Sequence, residues 1–249
     1  VTGHYARLEE SADGFIDMHR AVDHGKDQSY VLGVLTQDQL RRSLFPLGGN
    51  TKDKVRLEAD ARGLQVANKP DSYDICFVAD GDNAGWLSEK IGPQPGDIVD
   101  ESGEKLGEHE GAYAFTIGQR RGLRLGVPAA DGKPRFVLDI EPVSRTVTVG
   151  PKDHLEVRGL TCLKPLWCAA APTDTIECTV QLRAHGDEHR ARVTVSDDGF
   201  DVELLDPAFG IAPGQACVIY QGTKVVGSGT IARTQRAVQS EPLTTDAAV

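Results

Sequence analysis

Cys76, in the segment DSYDICFVAD, reads from its surroundings as a small buried hydrophobe of a core strand, and as a nucleophile only if it is accessible. The thiolate is the reactive form, so chemistry needs an accessible thiol with some ionised fraction. Lys69 favours the thiolate if near, whereas Asp71 and Asp74 oppose it. The apolar run ICFV places Cys76 at a strand end. Three further segments carry recognition chemistry. GHYA (Gly3–Ala6) joins a glycine, over which a ligand can approach the backbone, to a histidine able to meet phosphate or base. KDQSY (Lys26–Tyr30) offers Lys, Asp and Gln for phosphate, ribose and base edges; an exposed loop entering a helix reads the same way. TIGQRRGLRLG sets three arginines among glycines, as a phosphate-binding loop or a solvated hairpin tip would.

Positioning these groups requires elements, and the first ninety residues carry helical signals. Thr36 caps a short helix through Gln39, Leu40 and Ser43, stopped before Pro46. Thr51 caps a second, KDKVRLEADAR, with Gly63 at its left-handed end. Val55 and Ala59 share one face of it, and Leu57 and Ala61 an adjoining one. A third helix is expected in NAGWLSEKI after Asp82. From about residue 95 short β-rich runs replace helical periodicity. DIVDESGEKLGEH reads as a hairpin around Ser102-Gly103, followed by AYAFTIGQ, RFVLDIEP and TVTVG. Beyond Leu160 come IECTVQLR, EHRARVTVSDDGFDVELL and PGQACVIYQGTKVVGSGTIARTQ, with DDG and QGTK as turns, suggesting a closed antiparallel barrel.

Composition bounds the answer. The 249 residues carry 27 Lys+Arg against 37 Asp+Glu, a net charge of −10, with 39 % hydrophobic and 26 % charged residues. This is ordinary globular composition, which excludes a disordered or collagen-like chain. The longest apolar runs are about half of the ~20 residues that a membrane-spanning helix needs. VTGHYARLEE lacks the pattern of a signal peptide. Five scattered cysteines, at 76, 162, 168, 178 and 217, form no CxxC pair, which fits a reducing cytoplasm. The seven histidines show no metal-ligand spacing. The acidic balance argues mildly against nucleic acid, but charge is segregated along the chain. Ala112 to Leu138 holds five cations (Arg120, Arg121, Arg124, Lys133, Arg135) and one acid (Asp131), whereas Asp80 to Glu110 holds nine acids and two lysines.

In order, TGHYAR, KDQSY, LFPLG, KPDSYDICF, QPGDIVDESGEKLGEHEGAYAFTIGQRRGL and PGQACVIY resemble the bacterial tRNA-specific 2-thiouridylase family, from Thr2 to about Gln235. The resemblance implies an ATP-dependent sulfurtransferase that converts the wobble uridine of Lys, Glu and Gln tRNAs to 2-thiouridine. The uridine oxygen is adenylated, a cysteine persulfide delivers the sulfur, and a second cysteine assists release. It also implies an α+β, mainly β fold: the remnant of an α/β ATP-pyrophosphatase-type domain (1–90), a small β-rich central domain (91–155), a C-terminal antiparallel β-barrel (156–236) and a disordered tail (237–249). By the same likeness Cys76 is the persulfide cysteine, Gly3 meets ATP, and His4, Lys26, Asp27 and Gln28 meet tRNA. Arg183 and Ala184 fall where the family has an Arg–aromatic pair, with alanine here in place of the aromatic, and Gln215 matches a tRNA-contacting glutamine. The expected partners are tRNA and a persulfide relay protein as sulfur donor, with no membrane, no metal, a monomeric state and a cytoplasmic location. The family's SGGxDS pyrophosphate loop occurs nowhere in these residues, and the chain starts at Val1 with Met18 as its only methionine, so it is expected to begin inside a larger protein and to be inactive alone. A non-catalytic RNA-binding β-barrel is the competing class.

Overall fold

The computed structural model describes residues 1–65, 83–126, 129, 131–168 and 170–237, so Cys76 and the ICFV run lie outside the described residues. The chain forms two compact units, one of Val1–Asp71, Arg158–Pro207 and Ala212–Thr234, the other of Ser72–Val157, Ala208–Ile211 and Gln235–Val249. The fold is mainly β with few helices, and it includes a closed six-stranded antiparallel barrel.

The barrel occupies the first unit. Its strands are β7 (Glu156–Trp167), β8 (Ile176–Gln181), β9 (Glu188–Ser196), β10 (Gly199–Phe209), β11 (Ala216–Gln221) and β12 (Lys224–Arg236). They run in the order β12-β11-β8-β9-β10-β7, and β7 pairs back onto β12. Closure leaves no barrel edge unpaired. Strand β11 is buried on both faces. Cys217 and Gly229, its register partner on β12, lie on the barrel interior, where a Cβ on Gly229 would strike Phe200 and Cys162. Val218 and Tyr220 instead join an outer cluster with Ala6, Met18, Leu32, Leu40 and Phe45. The N-terminal residues thus pack on the barrel's outer wall. They include a hairpin that their helical signals gave no sign of: β1 (Arg7–Glu10) pairs with β2 (Ile16–His19), and His19 pairs with Lys224 of β12. Two close approaches fix glycine in the barrel. A Cβ on Gly199 would sit 1.9 Å from the Cys162 carbonyl oxygen, and one on Gly227 2.5 Å from the Trp167 ring.

The helices form where their caps predict. In α2 (Gln37–Arg41) Thr36 accepts from the Gln39 N–H, and Gln39 returns a bond to the Thr36 N–H. Between β2 and α2 lies the single turn α1 (Ser29–Leu32). In α3 (Lys52–Ala61) Thr51 accepts from the Lys54 N–H, and Gly63 has φ of 69°. Its Val55–Ala59 face is half-buried, whereas Leu57 and Ala61 are exposed. α4 (Asn83–Ile91) matches NAGWLSEKI.

The second unit holds a four-stranded sheet of β3 (Gly96–Val99), β4 (Lys105–His109), β5 (Phe136–Glu141) and β6 (Thr146–Gly150), in the order β4-β3-β6-β5. β3 and β4 form the expected hairpin around Ser102-Gly103, and the β3–β6 pair is parallel. Its core is Ile98, Leu123, Val137, Val147 and Val149. AYAFTIGQ is not a strand, contrary to its apolar look: Ala112–Ala114 is a 3-10 turn, followed by loop. Left-handed backbone at Gly118, Gly122 and Arg124 (φ 85°, 77° and 50°) breaks any ladder there. The apolar side chains Ala112, Phe115, Ile117 and Leu125 pack on that core from the loop. Among the described residues no helix is long and apolar enough to cross a membrane.

Candidate nucleic-acid interface

Strand β2 ends in His19 and delivers Arg20 into the interior of the first unit, where it is only 8 % exposed. A guanidinium there needs paired charge, because a bare buried charge is strongly destabilising. Both terminal nitrogens are paired, while Nε is buried without a hydrogen-bond partner. Nη1 donates to Asp27 Oδ2 at 2.8 Å, and Nη2 faces Gln181 Oε1 at 3.0 Å and Glu188 Oε1 at 2.9 Å. The guanidinium carbon lies 3.7 Å from the centroid of the Tyr220 ring, a stacking contact. Asp27 is equally committed. Its carboxylate also accepts from the Ala21 N–H, the Ser29 N–H and the Ser29 hydroxyl. Ser29 in turn meets the Tyr220 hydroxyl at 3.0 Å. Burial pushes the Tyr220 hydroxyl well above its ordinary pKa, against the pull of Ser29 and Arg20.

From this hub the predicted RNA-contact residues extend outward. Gln181 donates its amide N–H groups to the carbonyls of Arg183 and Ala184, at 3.1 and 3.2 Å, so the Arg183–Ala184 turn is tied to Arg20. Both turn side chains are exposed. Gln28 brackets Tyr5 with two bonds, Tyr5 N–H to Gln28 Oε1 at 3.0 Å and Gln28 N–H to the Tyr5 carbonyl at 2.8 Å, which anchors the Gly3–His4 segment beside it. His4 Nδ1 lies 2.8 Å from the Thr2 hydroxyl, with its ring edge toward Phe45. Gly3 is exposed, and the nearest side chain to a Cβ there would be Leu47, at 3.8 Å. Tyr30 donates to the Ala216 carbonyl at 2.9 Å, next to the exposed Gln215. Burial pushes the Tyr30 hydroxyl up, the Cys217 thiol adds to this, and the Ala216 bond and the Arg183 charge oppose it. Bonds through Tyr5, Asp27, Arg20 and Gln181 thus tie the Gly3–His4, Lys26–Gln28 and Arg183–Ala184 segments together, and Tyr30 reaches the residue that follows Gln215.

The sequence pattern missed the residues that join them. Arg20, Gln181 and Glu188 make the connections and no motif singled them out; Tyr30 closes the KDQSY motif but carries no role in that reading.

The second unit carries the basic loop. Gly118 N–H donates to the Val137 carbonyl and Val137 N–H to the Gln119 carbonyl, while Gly126 N–H meets the Leu106 carbonyl. Leu123 is buried between them. The loop is pinned at both ends and its middle, leaving Arg120, Arg121, Arg124 and Lys133 exposed. Arg135 is spent on Asp131 at 2.9 Å, but none of those four pairs with an acid among the described residues. Such a loop presents cations that can fork onto phosphates.

Three cysteines of the barrel unit, Cys162, Cys168 and Cys217, are buried, and Cys178 is half-buried. Burial pushes the Cys168 and Cys178 thiols up to about 11, and Cys217, against Cys162, is held well above the ordinary thiol range. Among the described residues no three His, Cys, Asp or Glu side chains cluster as metal ligands. A Cβ on Gly3 would meet only Leu47, at 3.8 Å, which leaves its backbone open to a ligand.

Three family models match in succession: "tRNA methyl transferase HUP domain" over residues 1–80, "tRNA methyl transferase PRC-barrel domain" over 84–151, and "Aminomethyltransferase beta-barrel domain" over 157–231. The chain is 66 % identical over 241 residues to a protein of Nocardioides sp. named tRNA-specific 2-thiouridylase MnmA, covering 95 % of this chain and 66 % of that relative. Relatives with the same name from Acidothermus cellulolyticus and Streptomyces coelicolor are 59 % and 58 % identical, each over 95 % of the chain and over 65 % and 63 % of their own lengths. The chain thus spans just under two thirds of the length of these relatives.

Proposed function

The chain belongs to the tRNA-specific 2-thiouridylase family, and on that premise we propose that it forms the sulfur-carrying and RNA-contacting part of an ATP-dependent tRNA 2-thiouridylase. The observation that carries this reading is the 66 % identity, over 241 residues, to a relative with that name. The network that ties three sequence segments together through Arg20 supports it.

In this reading Cys76 holds a persulfide, loaded by a relay protein. Its terminal sulfur bonds to C2 of the adenylated wobble uridine, and AMP leaves with the uridine oxygen. The second cysteine that the resemblance implies breaks the persulfide S–S bond by forming a disulfide with Cys76, which an external thiol then reduces. ATP, when bound, supplies the activation of the uridine oxygen. The chain's own residues do the rest. Arg183 and Lys26 meet phosphate, Gln28, Gln215 and His4 meet base or sugar, and Ala184 lines the same surface without stacking. Asp27, with its carboxylate committed inside, shapes the Lys26–Gln28 turn. Gly3 offers a backbone contact to the adenosine side. The arginine loop of the second unit holds RNA phosphates against the chain's overall negative charge. A flipped wobble base needs a pocket that offsets the loss of stacking, on the order of a few kcal/mol. The parts divide at 1–90, 91–155 and 156–236, followed by a tail, and the protein works as a cytoplasmic monomer.

The test is product analysis. The intact protein, given unmodified tRNA, ATP and a persulfide donor, forms 2-thiouridine, with AMP and pyrophosphate. These 249 residues alone form neither AMP nor pyrophosphate above a no-protein blank. With a methyl donor added to the same mixture, a methylated uridine in place of the thio product would refute sulfur transfer and favour methyl transfer. Turnover of ATP by the chain alone would refute the placement of the nucleotide site outside it.

A further inference from the structure

We propose that Arg20 is a positioning residue of RNA recognition: it locks the Lys26–Gln28 turn and the Arg183–Ala184 turn in one fixed arrangement without touching RNA itself. The inference rests on the RNA reading above. At 8 % exposure the Arg20 guanidinium has no open face for a phosphate. One edge holds Asp27 at 2.8 Å, a second nitrogen holds Gln181 and Glu188, and the flat face lies on Tyr220.

The control of the second turn follows from donor chemistry. An arginine can only donate, so the Gln181 amide must turn its oxygen toward Arg20. Its NH2 then necessarily points the other way, onto the carbonyls of Arg183 and Ala184. Without Arg20 the amide oxygen loses its charged partner, and the side chain that holds the Arg183 and Ala184 carbonyls is left fixed from one side only. The control of the first turn is direct. Asp27 divides its two oxygens between Arg20 and the N–H groups of Ala21 and Ser29, and so sets the backbone that displays Lys26 and Gln28. Lysine cannot replace this arrangement, because a point charge lacks the planar fork and the stacking face. The two turns are ~155 residues apart in sequence and have Arg20 as their common tie.

The experiment uses the intact protein and an unmodified tRNA-Lys transcript, with Kd measured across a salt series and amide hydrogen exchange followed in the free protein. Arg20→Lys should raise Kd about tenfold, leave the slope of log K against log salt unchanged, and speed exchange at residues 26–29 and 183–186 together. Gln181→Met, neutral and of similar volume, should release only the 183–186 turn and raise Kd severalfold, and it decides the matter if Arg20→Lys fails to fold. Arg183→Ala, a direct contact, should instead lower the salt slope by about one. The proposal is overturned if folded Arg20→Lys binds within twofold of wild type, or if its slope falls by one as a direct phosphate contact would. A wild-type protein that does not bind tRNA refutes the RNA reading. Exchange then still decides the positioning claim: unchanged rates in both turns overturn it.

Discussion

Arg120→Gln combined with Arg121→Gln should cut the salt dependence of tRNA binding by a calculable amount. Both side chains are exposed on a loop pinned to β5 and β4, and neither has an acidic partner among the described residues. Each phosphate contact contributes about 0.7–0.9 to the slope of log K against log salt, so losing two should reduce it by about 1.6. Over a fourfold rise in salt, from about 50 to about 200 mM, each contact costs roughly threefold in affinity, so wild type should weaken about ninefold more than the double variant. The loop itself should survive, because its anchors are backbone bonds and the buried Leu123 rather than the guanidinium groups. Arg135→Gln is the internal control: Arg135 is tied to Asp131, so its loss should change the slope little. Fluorescence anisotropy with labelled tRNA across a salt series reads all three proteins. A double variant with the wild-type slope would refute the assignment of this loop to phosphate.

Asp27→Ala should destabilise the protein by about 3 kcal/mol in urea unfolding, because it leaves the buried Arg20 charge with Gln181 and Glu188 alone; a loss below about 1 kcal/mol would show the pair to be dispensable. Burial holds the Cys168 thiol at about 11 against 9.0 in a free chain. The folded state therefore keeps a proton that the unfolded chain releases first, and the stability this provides, complete below about pH 9, is lost as pH rises toward about 11. Cys168→Ala should flatten that alkaline fall in the urea midpoint, and an unchanged fall would exclude this thiol as a cause. Gly199→Ala should lower stability by about 3 kcal/mol, since its Cβ would meet the Cys162 carbonyl; near wild-type thermal unfolding would show that β7 and β10 can part there.

Local chemistry was the most legible layer of this sequence. Thr36, Thr51 and Gly63 mark helix ends through bonds spanning a few residues, and Ser102-Gly103 marks a hairpin in the same way. The apolar runs ACVIYQG and KVVGSGTI on either side of the QGTK turn foretold paired barrel strands, and both are buried along most of their length. The β1–β2 hairpin was not legible. RLEE and IDMH are four residues each, and part of what holds them is pairing with β12, about two hundred residues later. AYAFTIGQ misled because its apolar residues serve a core from a loop, with glycine and a left-handed arginine deciding the backbone. The candidate contact residues could be proposed one by one from the family resemblance. Their joining through Arg20 and Gln181 depends on side-chain geometry that no spacing encodes.

Sulfur delivery by Cys76 to tRNA is tested most directly by 2-thiouridine formation by the intact protein carrying Cys76→Ser. With tRNA, ATP and a persulfide donor supplied, the variant should form no 2-thiouridine above background, while its tRNA affinity stays within about threefold of wild type, a change below 1 kcal/mol. Thiolation at a rate close to wild type would contradict the claim and remove Cys76 from the chemistry.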